Sequence, residues 1–566
     1  MIRLSSTLSL VGLLYLTLFL RPIAARDTSM VTLNAKRLAA VERWRLSARG
    51  LNVEGNARRS TDATTSPRVK NITFRNPKAS RFYVDGTTIP LVNFDVGPSW
   101  SGLIPISSAP HEKRKLFFWL FPPGPEGSLD DLIFWYSAHY IVYSAKGLAD
   151  SGVLQDEWRS GLFVARGFLP GERCKPQYII PSTKPDPPQP FTWATGTALP
   201  IQNEWSWTNL SSVLYVEQPV GTGFSQGTPT AKDENDVAAQ LVGFLEQFLE
   251  IFSELKGKKF YLLVKVVLKI MALNLRWIED IANFIYENTT RSTLDLDLQG
   301  IWINDPVLGW DVVQSQIPAV SFVHKYEHVF AFSQTFLAHL DSVAETCNYA
   351  DYNQKHVTYP PQGLLPLPGK STEADPGCDV WDTIFDAALL VNPAFNIYRI
   401  FDTVMADLSD VLGFPGSFFQ AQVSPLYFNR ADVKAAIHAP ANVDWAECSN
   451  IDVFPHGDGS LPPAFTVLPN VIEKSNRTVI VHGLGDFILI AEGTRIVLQN
   501  MTWAGKQGFH KHIVEDSFIV DGVGSLGNMH SERGLSYVEI SLAGHMVPGY
   551  SPVVSALKLL KWMEEA

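Results

Sequence analysis

Apolar runs of strand length alternate with helical stretches through most of this chain, and no other feature constrains its fold as much. LFFWLF (116–121), DLIFW (131–135) and VLYVEQP (213–219) read as strands. Residues 234–255 read as a helix, with Val237, Leu241, Phe244, Leu245 and Phe248 recurring at i, i+3, i+4 spacing and acidic residues crowding its start. FYLLV (260–264), a helix around 277–287, GIWIND (300–305) and TVIVHG (478–483) continue the pattern. Such alternation predicts an α/β fold, a mainly parallel sheet covered by helices on both faces. Between about 311 and 425 the strand pattern lapses into helical pieces and proline-rich loops such as YPPQGLLPLPG, which predicts a helical cap inserted into a sheet domain spanning about 70–566.

The N-terminus reads as a secretory signal peptide over 1–25, with an early arginine, an apolar stretch from Leu8 to Leu20 and small residues at Ala24 and Ala25. No later segment reaches the roughly 18 uninterrupted apolar residues of a membrane span, so the mature chain is expected to leave the membrane. Residues 26–69 read as a pro-segment or loose terminus, with a basic, patternless stretch to about Ser60 that ends in Arg58-Arg59. Sequons at Asn71, Asn209, Asn288, Asn476 and Asn500 fit passage through the secretory pathway, to a secreted or vacuolar destination. The formal charge of -11 argues against nucleic acid as a partner.

The four cysteines, Cys174, Cys347, Cys378 and Cys448, permit two disulfides in such a compartment. Cys347 with Cys378 is the preferred pair, since both bracket one loop of the cap, and Cys174 with Cys448 is the second. His510 and His512 form an H-x-H pair with no further ligands nearby, and no cofactor or metal is expected. Nothing in the pattern sets an oligomeric state.

Three stretches place polar residues directly after buried strands, where α/β enzymes build their sites: 203–227, 479–509 and 534–552. Asp486 follows a strand and a Gly-x-Gly turn, and His545 follows YVEISL between Gly544 and Met546. Aspartate then histidine, with a nucleophile upstream, is the triad order of α/β-hydrolases. The carboxylate would fix the imidazole and stabilise its charged form while the imidazole shuttles the nucleophile's proton.

The chain here resembles the serine carboxypeptidases, secreted or vacuolar α/β-hydrolases that remove C-terminal residues from peptides. VEQPVGTGFS (216–225) and AGHMVP (543–548) match the family most closely, GLGDFILIAEGTR resembles its catalytic-aspartate segment, and GIWINDPVLGWDVVQSQIPAV with TWAGKQGF resembles fungal members. The resemblance implies Asp486 and His545 as two triad members and the C-termini of peptides or proteins as substrates. Two family motifs are replaced. Where a strand like KFYL should run into Gly-Glu-Ser-Tyr-Ala-Gly, residues 263–280 read LVKVVLKIMALNLRWIED, without a serine. After DLIFW, where the family supplies its oxyanion hole and carboxylate-binding groups, an unrelated stretch runs to about residue 189. That stretch also lacks the cysteine that in the family pairs with the position of Cys448.

The G-x-S-x-G match at Gly223–Gly227 does not supply the nucleophile, because Ser225 lies past Pro219 in a loop rather than between a strand and a helix. Three readings of the missing elbow remain: misassigned exon boundaries, a non-catalytic binding or carrier protein on the same fold, or an enzyme with an unfamiliar nucleophile. The first is preferred, since both replaced segments abut intact motifs on each side. The third would have to overcome a loss on the order of 10⁶ in turnover. Lys265 and Lys269 would also put charge where a central strand and its helix should pack.

Overall fold

The computed structural model describes residues 72–125, 127–137, 189–193, 199–265, 277–289, 293–368, 376–393, 395–402, 412, 425–446, 453–520 and 524–551. The chain divides into two compact units. Of the first, 1–65 with Ile519–Leu526, only 519–520 and 524–526 are described, all in strands. The second, Ser66–Phe518 with Gly527–Ala566, holds the remaining described residues, every described helix among them.

The main sheet is built from β1 (Tyr83–Val84), β2 (Ser99–Pro105), β3 (Lys115–Phe121), β4 (Asp131–Ser137), β5 (Ser212–Glu217), β6 (Lys259–Lys265), β7 (Asp297–Asn304), β8 (Arg477–Gly483), β9 (Phe518–Val520), β10 (Gly524–Glu532) and β11 (Leu535–Ile540). Their spatial order is β1-β2-β3-β5-β4-β6-β7-β8-β11-β10-β9. The run from β5 through β4, β6, β7 and β8 to β11 is parallel, and β1, β2, β3 and β10 pair antiparallel outside it. Parallel strands are covered on both faces, which is why β4, β7 and β8 read as continuous apolar runs rather than alternating ones.

Helix α1 (Glu234–Ile251) starts at Asp233, whose carboxylate accepts from the Asp236 amide at 3.0 Å, and carries Glu234 and Asp236 in its first turn, where the helix dipole favours negative charge. The predicted helix runs to 255, but it stops at Ile251 because Phe252 leaves helical backbone angles, and a short 3₁₀ turn, Ser253–Leu255, comes next. The apolar stripe of α1, with those of α2 (Trp277–Asn288) and of the helix Ala491–Asn500, packs over Leu132, Phe134, Phe260, Leu262, Ile301, Ile303 and Ile480 on one sheet face. Each such Leu or Phe removed from water contributes about 1.5–3 kcal/mol.

Between 311 and 425 the described residues form helices and loops. They include α3 (Ile317–Lys325), α4 (Gln334–Thr346) and α5 (Val380–Val391). Gln316 fastens α5 to the base of α3 by accepting from the Val380 and Trp381 amides, both at 3.0 Å. Cys347 and Cys378 are joined, with Cα atoms 5.7 Å apart, so the preferred pair is the one formed. Cys174 and Cys448 lie outside the described residues, as do 1–71, which include the predicted signal and Asn71, and residues 266–276 of the missing elbow. Helix α6 (Ala491–Asn500) comes after β8. Among the described residues no helix is long and apolar enough to cross a membrane.

Candidate active site

Strand order reverses at β4: the chain passes from β4 to β5 on one side, then steps over β4 to β6 and continues through β7 and β8 on the other. In open sheets of this kind, ligand sites form beyond the carboxyl ends of strands at such a reversal. Ser137, Lys265, Asn304 and Val481 stand side by side in register at that edge.

Asp486 and His545 both project from loops beyond the same edge, after β8 and β11. His545 Nδ1 lies 2.8 Å from Asp486 Oδ2, and both side chains are almost wholly buried. Because a carboxylate only accepts, the imidazole carries a proton on Nδ1, which leaves Nε2 as the ring's acceptor nitrogen when the ring is neutral. Asp486 is held in turn: its Oδ1 accepts from the amides of Ile488 at 2.9 Å and Leu489 at 3.1 Å. The two loops meet backbone to backbone, with the Gly485 amide donating to Ala543 O at 2.7 Å, and the second loop is also held by the His545 amide donating to Tyr398 O, in the separate segment 395–402, at 2.7 Å. Only glycine fits that meeting, since a Cβ at Gly483 would lie 2.2 Å from Gly544 O and one at Gly544 2.0 Å from Tyr398 O.

Two buried groups that the sequence does not single out complete the cluster. Asp305 directly follows β7, with its backbone in the left-handed region at φ 45, a strained conformation that tends to mark functional sites. One ligand atom from each of Asp305, Asp486 and His545 lies within 4.8 Å of the others, and this is the sole grouping of three potential metal ligands among the described residues. An Nδ1–H aimed at a carboxylate offers no lone pair there, an arrangement suited to proton transfer rather than metal binding. Burial, then the neighbouring Asp486 charge, pushes the Asp305 carboxyl well above the usual range. His482, inside β8, is also fully buried, and burial pushes its imidazole down to about 4, so it is neutral at ordinary pH. Asp305 is the acidic residue that ends GIWIND, and a polar residue after a buried strand is the same signal that marks Asp486.

Ser225 lies in the loop after β5, where its hydroxyl donates to Glu217 O at 2.5 Å and accepts from the Phe117 amide at 2.8 Å, stapling the loop to β3. His512 packs against Tyr359 with ring centres 4.2 Å apart and the planes tilted by 36°, and neither it nor His510 belongs to the ligand grouping. A cavity of about 340 Å³ opens beside Leu484, between α3 and α6, and is lined by Phe322, Tyr359, Arg495 and Glu539 among others.

A reversed parallel sheet with an aspartate and a histidine hydrogen-bonded beyond its carboxyl edge defines an α/β-hydrolase. The sequence pattern described as serine carboxypeptidase matches residues 189–565. The chain is 38% identical over 502 residues to a probable serine carboxypeptidase of Arthroderma benhamiae, covering 85% of each. It is 33% identical over 576 aligned positions to the serine-type carboxypeptidase F of Aspergillus niger, covering 96% of this chain and 98% of that one. The chain therefore belongs to the serine carboxypeptidase family. Its fold is similar to that of the prohormone-processing carboxypeptidase Kex1 of Saccharomyces cerevisiae, with a TM-score of 0.59 at 20% identity, covering 86% of this chain and 96% of the other.

Proposed function

We propose that this gene encodes a secreted or vacuolar carboxypeptidase that hydrolyses C-terminal peptide bonds, with His545 as general base and acid and Asp486 as its partner. The observation that carries the reading is the 2.8 Å contact between His545 and Asp486 beyond the edge where β6 ends. In the family that strand leads to the nucleophilic serine, and Lys265 at its end stands level with Asn304, one residue before Asp305. A serine on a turn just past β6 would therefore share an edge with the pair. His545 Nε2 would take the hydroxyl proton during attack and return it to the leaving amine, while Asp486 stabilises the imidazolium between the two steps.

The sequence as written has no serine from 263 to 280, so the same reading makes this chain, in this form, inert. The test is the transcript across 257–288, followed by expression of both forms and measurement of amino-acid release from peptide C-termini. The proposal expects a transcript restoring a Gly-Glu-Ser-Tyr elbow, release by that form and loss of release in its His545→Ala variant. A restored, folded form that releases nothing would overturn it. A transcript identical to the present sequence would favour instead a non-catalytic binding protein on the same fold.

A further inference from the structure

Asp305 sits against the candidate pair with its side chain fully buried. Its Oδ1 accepts from the Gly483 amide at 3.0 Å, and His482 Nδ1 lies 3.1 Å from the same oxygen. Its Oδ2 is buried, with no donor directed at it among the described residues. A buried carboxylate oxygen left without a donor is costly, whereas a carboxylic O–H needs an acceptor. An acceptor stands in the same 4.8 Å grouping, Asp486, a carboxylate whose Oδ1 already takes two amides and whose Oδ2 takes His545. The other charged and titratable groups close by are His482, His545, Glu539 and Tyr537, whose hydroxyl donates to Ala491 O at 3.0 Å, and the cation Arg495 is committed to Glu539 through two nitrogens. Nothing among them neutralises a second bare carboxylate.

The polar chain behind Asp305 has a fixed sense. Gln314 Oε1 accepts from the Leu308 and Gly309 amides, both at 2.6 Å, so its Nε2 is the donor, to Pro306 O at 2.9 Å and Thr494 Oγ1 at 3.2 Å. Thr494 is then free to give its own proton to His482 Nε2, 2.8 Å away, which leaves the ring proton on Nδ1, on the Asp305 side.

We propose that Asp305 is a positioning residue that shares one proton with Asp486, so that the two carboxyls carry a single negative charge behind His545 and hold the Asp486 carboxylate toward its Nδ1. The proposal rests on the assignment of Asp486 and His545 as the acid–base pair, but its readouts need no turnover. It can therefore be tested on the chain as written, and its failure is separate from a failure of the peptidase reading.

With ¹³C-labelled aspartate, infrared spectra should show a protonated carboxyl band that persists at pH 7, disappears in Asp305→Asn and survives in Asp386→Asn, a control for another aspartate that burial raises. Titration of His545 by NMR gives the second readout. The side-chain amide introduced by Asp305→Asn mimics the neutral, donating acid, so in that variant the imidazole midpoint should stay within about 0.3 units of the wild-type value. Asp305→Ala removes the donor, leaves Asp486 with the whole charge and should raise the midpoint by about 0.5–1 unit. Absence of the band in the wild type, its loss in Asp386→Asn, or an Asp305→Asn midpoint lower by a unit or more would overturn the proposal. The last result would mean that an ionised Asp305 had been removed. Should Asp305→Asn fail to fold, the wild-type and Asp386→Asn spectra decide alone.

Discussion

Replacing Arg495 with methionine tests the ionic contact beneath the strand that leads to His545. Glu539, on β11, has a fully buried carboxylate that accepts from Arg495 Nε at 2.5 Å, from a second Arg495 nitrogen, and from Asn528 Nδ2 at 2.7 Å. Burial pushes that carboxyl upward, but the Arg495 charge and hydrogen bonds override it and hold the group below its usual range. Arg495→Met leaves a buried carboxylate with neutral donors alone, and breaking a buried pair in this way costs about 3–5 kcal/mol. The arginine side chain is 34% exposed, toward the 340 Å³ cavity, so water can reach the vacated space and the cost should fall near about 3 kcal/mol.

Its pH dependence follows from the sign of the shift. In the wild type the depressed carboxyl contributes stability above its unfolded pKa and loses it as pH falls through the lower folded value. In Arg495→Met the carboxyl is raised instead and sheds its charge by taking a proton as pH falls from about 7 toward 5. The deficit should therefore shrink in acid. Denaturant unfolding followed by tryptophan fluorescence at pH 5, 6, 7 and 8 measures it. Adding Glu539→Gln should recover most of the loss, because the amide oxygen still accepts from Asn528 and the charge is gone. A single variant within about 1 kcal/mol of wild type, or a deficit equal at pH 5 and pH 8, would refute the reasoning.

Three further outcomes are expected. Glu217 is partly buried, and that burial pushes its carboxyl up to about 7 against hydrogen bonds from the Phe224 amide and Trp445 Nε1. The native state thus binds a proton that the unfolded chain releases, and stability should decline as pH rises from about 4.5 to 7; Glu217→Gln should abolish that decline, gaining up to about 3 kcal/mol on the wild type between pH 4 and pH 8 by denaturant unfolding. Gly243 lies in α1 where a Cβ would stand 2.0 Å from Ile106 O, so Gly243→Ala should cost about 1–3 kcal/mol in the same assay, despite alanine's higher helix propensity. The chain as written should resist a serine-directed phosphonylating reagent, and stoichiometric labelling of Ser225 or any other serine, lost in His545→Ala, would reveal an unfamiliar nucleophile instead.

What the sequence disclosed and what it hid divide along one physical line. Strand existence was legible because a sheet buried on both faces demands unbroken apolar runs, and KLFFWLF, DLIFW and TVIVHG have no other economical reading. Their spatial order was not, because the step of β6 over β4 is decided by long-range pairing that leaves no local mark. Gln316 binding α5 and Arg495 binding β11 were hidden for the same reason: each joins segments more than forty residues apart. Asp486 and His545 stood out because each is a polar residue just beyond an apolar strand, among glycines that let the loops touch. Asp305 carries the first half of that signal and lacks the second, since it is flanked by Asn304 and Pro306, and so it reads as an ordinary strand end. In a parallel sheet the edge is shared, however: successive strands in register deliver the residues beyond their ends to one place. An acidic residue directly after a buried parallel strand therefore belongs among the site candidates whether or not glycines surround it, and β7, between β6 and β8, had to deliver Asp305 to the edge where the pair stands.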